Sequence, residues 1–366
     1  MPDVEKDGLK EFHLEASEFR WEYEAGKWVH VWGYNGQIPG PEIRVTEGDA
    51  VRVIIQNNLP DATSIHWHGV DVPWQQDGVP GITQEAILPG ASFTYEFAAL
   101  PAGTRFYHSH GKDHATAAQQ LDMGLSGAFI VEPKEQTLTF DKEFTLLLDE
   151  WDIMMGGVNT AISHMHGAGM MGAVPEFNTF TINGRVFPYI DSLKIEEGDR
   201  VLVRFINVGS SATHPMHLHG HSFDVVAKDG FPISRSAIET RNTISLNPGE
   251  TVDILVYANN PGPWLLHCHH AHHAAAGMIT LMEYEGFEQT GKLLVSNNLV
   301  SAGMGSMSTM QNTVDNDHHH GEDVAPHAHG EEVQSNGNAW WMLLIVSLVL
   351  IVILSQFVRR YIGEEQ

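Results

Sequence analysis

One cysteine in 366 residues excludes an intrachain disulfide framework. It also excludes any zinc or iron–sulfur site that draws several thiolates from one chain. Positive charge is scarce: 20 Lys+Arg stand against 46 Asp+Glu, a formal net charge of −26. Phosphate backbones need a basic face, which argues against nucleic acid as a partner. The first residues lack an apolar h-region, so no signal peptide is visible. Histidine is what abounds: its 23 copies outnumber Lys+Arg. Hydrophobic residues make up 42% of the chain, ordinary for a globular protein, and the length suggests two or three domains. So many imidazoles point to metal or to a pH-sensitive tract, and position decides between them.

The body of the chain repeats itself. Ile43–Asp49 followed by Val51–Ile55 is echoed by Leu193–Asp199 followed by Val201–Phe205. Each copy reads as strand, Glu-Gly-Asp turn and strand. A His pair follows, His66-Trp67-His68 in copy one and His217-Leu218-His219 in copy two. Pro89-Gly90 then precedes a strand over 92–97, as Pro248-Gly249 precedes one over 251–257. Each copy closes on a second cluster, His108-Ser109-His110 or His267-Cys268-His269. Four landmarks keep their order with one small insertion, which marks a duplication. Short strands, Gly/Pro turns and no long helical period indicate two β-sandwiches. We place the first at 1–133 and the second at 134–285, the latter opening on a strand over 143–150.

Two residues apart on a strand, both rings of a His-x-His pair share one face. Such a pair chelates one metal or holds two. Eight imidazoles at matching places of a duplication are hard to explain as structural, because each would need its polar atoms satisfied. Copy two adds Cys268, whose side chain points away from its flanking His, then His273 and Met278 downstream and His214 upstream. Two His, one Cys and a weak axial Met suit a type 1 blue copper. The flanking His267 and His269 give electrons a short through-bond path from the sulfur to the imidazole cluster.

With these motifs the sequence resembles the multicopper oxidases over nearly all of residues 30–285, in its two-domain, small laccase-like form. The resemblance implies an all-β fold of two tandem cupredoxin-like Greek-key sandwiches. It implies copper of types 1, 2 and 3, four per chain. His66 and His217 are then the type 2 ligands. His68, His108, His110, His219, His267 and His269 are the type 3 ligands. His214, Cys268, His273 and Met278 are the type 1 ligands. Asp77, eleven residues after His66, matches a family carboxylate beside the cluster and is the candidate proton donor; as a turn Asp before Gly78 it has an equally simple local explanation. Ser109 stands where Cys268 does, so copy one has no blue copper, and His114 is expected to be a relic. Ala274 replaces a Glu of copper-exporting relatives, which puts a second proton relay in doubt. The implied reaction is one-electron oxidation of a donor at type 1 copper, coupled to four-electron reduction of O2 to water. In two-domain members the trinuclear cluster forms between copy one of one subunit and copy two of the next, which here implies a homotrimer.

The donor is read from two segments. Residues 151–176 carry Met154, Met155, Met165, Met170, Met171, His164 and His166 among glycines, similar to the Met-rich segments of cuprous oxidases. Residues 286–338 form an acidic linker with Met304, Met307, Met310, His318, His319, His320, His327 and His329. It serves as a solvated spacer or as a weak copper-collecting tether. Cu(I) or another reduced metal ion is therefore favoured over a phenol, and the acidic surface favours cations. Two rivals stand beside this reading. A copper nitrite reductase carries its blue-copper Cys in the first domain, and an electron carrier does not need eight imidazoles.

Residues 339–358 are a 20-residue apolar run, about 30 Å as a helix, which is read as a membrane span. Trp340 and Trp341 open it, and Arg359 and Arg360 follow it in a short tail over 359–366. The positive-inside rule places that tail in the cytoplasm and the body outside. The body then needs a route across: a leader already removed, a start further upstream, or a tail anchor facing the cytosol. The first two are favoured.

Overall fold

A computed structural model describes residues 2–6, 8–154, 157–158 and 177–287. The expected linker, the membrane span over 339–358 and most of the Met-rich segment lie outside the described residues, as does the side chain of His114. Among the described residues no helix is long and apolar enough to cross a membrane.

The regular structure of the described chain is mostly strand, with short helices at His114–Asp122 and Ala271–Ala275. The first half folds into two sheets, and so does the second, which adds a two-stranded ribbon of Ile153–Met154 and Gly157–Val158. In each half one sheet pairs an early long strand in parallel: Leu9–Glu24 with Ala50–Asn57, and Lys142–Trp151 with Arg200–Asn207. The other sheet carries the histidines. Strand Ile65–His68 lies antiparallel to Gly103–Ser109, as His214–Leu218 lies antiparallel to Pro263–Cys268. The duplication seen in sequence is thus a duplication of sheet pairs.

Period-two burial explains the strands. In Ala50–Asn57 every second residue is buried, and Val51, Val53 and Ile55 enter the first core with Trp67, Tyr95 and Phe129. Each such side chain contributes roughly 1.5–3 kcal/mol on burial. Thr251–Tyr257 breaks the alternation, being buried on nearly every residue. The reason is that its outer face meets the other half. Asp253 accepts from Thr104 Oγ1 at 2.7 Å and from Arg204 Nη1 at 2.8 Å. Beside this network Phe106, Ala128 and Ile130 pack against Leu147, Ile206 and Val208. Both sandwiches therefore belong to one compact unit.

Candidate metal centre

The register of the second hairpin pairs Met216 with Cys268 and His217 with His267. Alternation then sends Cys268 into the core, where it is fully buried, and turns the histidines to the opposite face. His214 starts its strand, also fully buried. His273 comes from the helix Ala271–Ala275, which turns the chain back after Cys268. The result is a triangle: Cys268 Sγ lies 3.8 Å from His214 Nδ1 and 3.6 Å from His273 Nδ1. Met278 is buried beside it, its carbonyl accepting from the Cys268 N–H at 3.1 Å. Phe180 stacks on His273 with ring centroids 3.8 Å apart. On the outer side the exposed His270 and His272 lie 4.9 and 4.6 Å from the same ring.

Burial tunes these donors. Desolvation, helped by neighbouring imidazoles, holds His273 down at about 3, so the ring is neutral and its lone pair is available. The Cys268 thiol is pushed up to about 11 by burial. A thiolate therefore forms here only with a cation to stabilise it, which is how a metal displaces the proton.

The opposite face of the same sheet gathers His217, His219, His267 and His269. Ring centroids lie 4.8 Å apart for His217–His219 and 5.7 Å for His217–His267. His219 Nε2 and His267 Nε2 approach to 3.0 Å, and His267–His269 centroids are at 5.8 Å. The first half repeats this: His66 to His68, His108 and His110 at 5.8, 5.3 and 6.0 Å. One ring nitrogen each of His66, His68 and His108 fits within 4.8 Å of the others.

Backbone carbonyls set the tautomers. Nδ1 of His66 donates to Asp77 O, of His108 to Ser109 O, of His217 to Asn242 O and of His267 to Cys268 O, at 2.7–2.9 Å. A carbonyl only accepts, so the proton sits on Nδ1 and Nε2 keeps its lone pair for a metal. Burial lowers His68 to about 4 and His108 to about 3, which keeps both rings neutral. Asp77 adds its carboxylate at 3.2 Å from His66 Nδ1. Among the described residues, neither metal-capable triad mixes the two halves: one is His66, His68 and His108, the other His214, Cys268 and His273.

At the place equivalent to Cys268 the first half carries a hydrogen-bonded plug. Thr63 Oγ1 donates to Gln120 Oε1 at 2.7 Å and lies 3.0 Å from Ser109 Oγ, which bonds the same Gln120 oxygen. Sequence reasoning found Ser109 but not Thr63 or Gln120. It also missed Glu150, whose signal was available as two acids closing the apolar run Leu146-Leu147-Leu148.

Residues 15–136 and 160–286 each match a family profile described as multicopper oxidase. A blue copper oxidase from Nitrosomonas europaea is 34% identical, with a TM-score of 0.65 over 76% of this chain and 86% of that one. The chain belongs to the multicopper oxidase family. Membership brings copper of types 1, 2 and 3, and the donors present fit it: one buried sulfur with two imidazoles, and eight further imidazoles, four of which keep Nε2 free by bonding a carbonyl through Nδ1. Multicopper oxidase MmcO of Mycobacterium tuberculosis is 28% identical over 259 residues, 64% of this chain and 49% of its own. The chain spans about half or less of the length of the curated relatives it matches. A copper nitrite reductase from Nitrosomonas europaea, at 24% identity and TM-score 0.65, shows a shared fold alone.

Proposed function

We propose that the chain is an oxidase that takes single electrons from a reduced metal ion, Cu(I) foremost, or from a phenolic donor, and passes four to O2 to make water. The observation that carries this is the continuity of Cys268 with His267 and His269. One peptide strand joins the buried S,N,N triangle to an imidazole cluster on the other face of its sheet. Copper held at these donors supplies the one-electron transfers and the reduction of O2.

His214, Cys268, His273 and Met278 would hold the type 1 ion. His66 and His217 would hold type 2, and His68, His108, His110, His219, His267 and His269 the type 3 pair. Strands and the turns that end them fix these rings, and carbonyl bonds orient His66, His108, His217 and His267, so little reorganisation accompanies electron arrival. Phe180 covers one face of His273 and limits water. Asp77 orients His66 and is placed to hand on protons that water formation consumes. Asp77→Asn is expected to keep all copper and slow O2 reduction roughly 10²-fold or more. Unchanged turnover with that variant would remove Asp77 from the proton path.

For the donor, His270 and His272 at the outer edge of His273, the Met-rich segment over 151–176 and the charge of −26 all favour a cation. Copper oxidation by O2 is tested by oxygen uptake with Cu(I) against a phenolic dye. A higher kcat/KM for the dye overturns the metal preference. Copper counting separates the rivals: four per chain for the oxidase, two for a nitrite reductase, one or a variable number for a carrier. The position of the sulfur in the second half already disfavours the reductase.

The two four-histidine faces would meet across subunits in a head-to-tail homotrimer. Residues 339–358 would anchor it in a membrane with the catalytic body extracytoplasmic. Trp74, Ile82 and Leu88, on the segment that carries Asp77, are 61–72% exposed and support such a contact.

A further inference from the structure

Glu150 closes the strand Lys142–Trp151, and its side chain is fully buried. A carboxylate in such a place needs donors. It has three. Glu150 Oε1 accepts from the N–H of Ser211 at 2.6 Å and of Ala212 at 2.8 Å. Its Oε2 lies 3.2 Å from Nε2 of His214. The turn that supplies the N–H groups approaches so closely that a Cβ on Gly209 would overlap Oε2. Neighbouring Asp149 is otherwise engaged, by Trp151 Nε1 and by the Glu150 N–H.

The geometry points to Glu150 as a positioning residue for the sulfur-bearing site, one that holds His214 by its far nitrogen. The side chain accepts at Oε2 as it does at Oε1, so Nε2 of His214 carries the proton. The lone pair then lies on Nδ1, the nitrogen that faces Cys268 Sγ. The ring is thereby fixed in both tautomer and rotation before any metal arrives. The first half offers an internal comparison. Glu150 lies two residues past the pair Leu148–Asn207, as Glu18 lies two past Ala16–Asn57. Glu18 is exposed, and the residue equivalent to His214 there is Thr63. Only the half with the sulfur buries its glutamate.

This inference rests on the reading that the triangle takes copper. With thiolate and neutral imidazoles as ligands, the oxidised ion leaves a net positive charge and the reduced ion leaves none. An acceptor on Nε2 makes His214 a stronger donor through Nδ1, which favours the former. In the full chain loaded with copper, Glu150→Gln is expected to raise the reduction potential of the sulfur-bound ion. It should weaken copper binding there roughly 10- to 100-fold. It should also change the copper hyperfine splitting, and Glu150→Asp, a carboxyl on a shorter arm, should fall between. Unchanged potential, affinity and hyperfine splitting in folded Glu150→Gln would overturn the proposal. Nitrogen NMR of the metal-free wild-type protein tests it without any variant. The expected result is a proton on Nε2 of His214, and a proton on Nδ1 alone would overturn the proposal. Because that measurement needs no metal, it separates failure here from failure of the copper reading, which would show as a wild-type protein with no thiolate–copper absorption.

Discussion

Serine at 109 and cysteine at 268 hold equivalent places in two hairpins, and this one atom decides which half takes a sulfur-bound metal. The first half shows how the fold fills the same space without copper: Thr63, Ser109 and Gln120 satisfy one another. Cys268→Ser is therefore expected to fold and to keep the trinuclear donors. It should lose one copper per chain and all visible thiolate absorption, at a cost of roughly 1–3 kcal/mol for a buried hydroxyl whose partners are imidazoles rather than Gln. Retained blue colour would sink the assignment. A second prediction concerns Asp122, 3% exposed, with Oδ1 lacking a partner among the described residues. Burial first, then the neighbouring Glu150, lifts it from its ordinary 3.8 to about 7, against a hydrogen bond from Ser210. The folded value lies above the unfolded one. Stability present at low pH is thus lost as pH rises from about 4 to about 7. Asp122→Asn has no such loss. Its gain over wild type should grow across that window to a ceiling of about 4 kcal/mol, read from thermal unfolding of the metal-free protein at stepped pH. The clusters of candidate donors that the fold brings together were legible in sequence because metal chemistry fixes type and spacing together. Glu150, Thr63 and Gln120 were not, because their roles arise only when distant strands meet.

At the scale of elements, the hairpins carry the chemistry and the turns aim it. Strands over 92–97, 143–150 and 251–257 were readable because apolar runs bounded by Pro-Gly or charged turns have few alternatives, and they appear as Ser92–Ala98, Lys142–Trp151 and Thr251–Tyr257. The parallel pairing of Lys142–Trp151 with Arg200–Asn207 was not readable, since sequence period says which face is buried and not which strand lies beside which. The Gln76-Asp77-Gly78 turn illustrates the coupling. Its Asp77 carbonyl holds Nδ1 of His66, and Ser64 Oγ donates to the Gly78 carbonyl at 2.6 Å. Gly78 has φ +81, and a Cβ there would run into the Ile65 carbonyl. The turn thus lies flat on the strand that bears His66 and His68. Gly78→Ala combines a left-handed backbone with that clash, so a loss of about 2–4 kcal/mol is expected in thermal or denaturant unfolding. Because the turn must lift, His66 loses its carbonyl, and the copper count should fall before the fold does. A variant of wild-type stability and full copper would show that the turn does not aim His66.

For the whole molecule, the decisive fact is that the described chain carries two four-histidine faces and that each ring cluster is built within its own half. The apolar contact of Phe106 and Ile130 with Leu147 and Ile206 already cements the two halves of one chain side by side. In the proposed assembly, pairing face with face falls to a neighbouring copy, and a head-to-tail contact of that kind closes into a ring when its rotation is one third of a turn. A stable contact buries more than about 1,000 Å² and has an apolar centre. Ile82 at 72% exposure and Leu88 at 64% supply candidates on the segment that carries Asp77. Charging both, as Ile82→Asp with Leu88→Asp, leaves the sandwich cores untouched, because neither side chain contributes to them. The expected product is a folded single chain by light scattering. It should retain the thiolate–copper absorption and one copper, lose the other three, and no longer consume O2. A single chain with four coppers and full oxygen uptake would mean that one chain closes its own cluster. A trimer that survives both charges would place the contact elsewhere on the histidine-bearing faces.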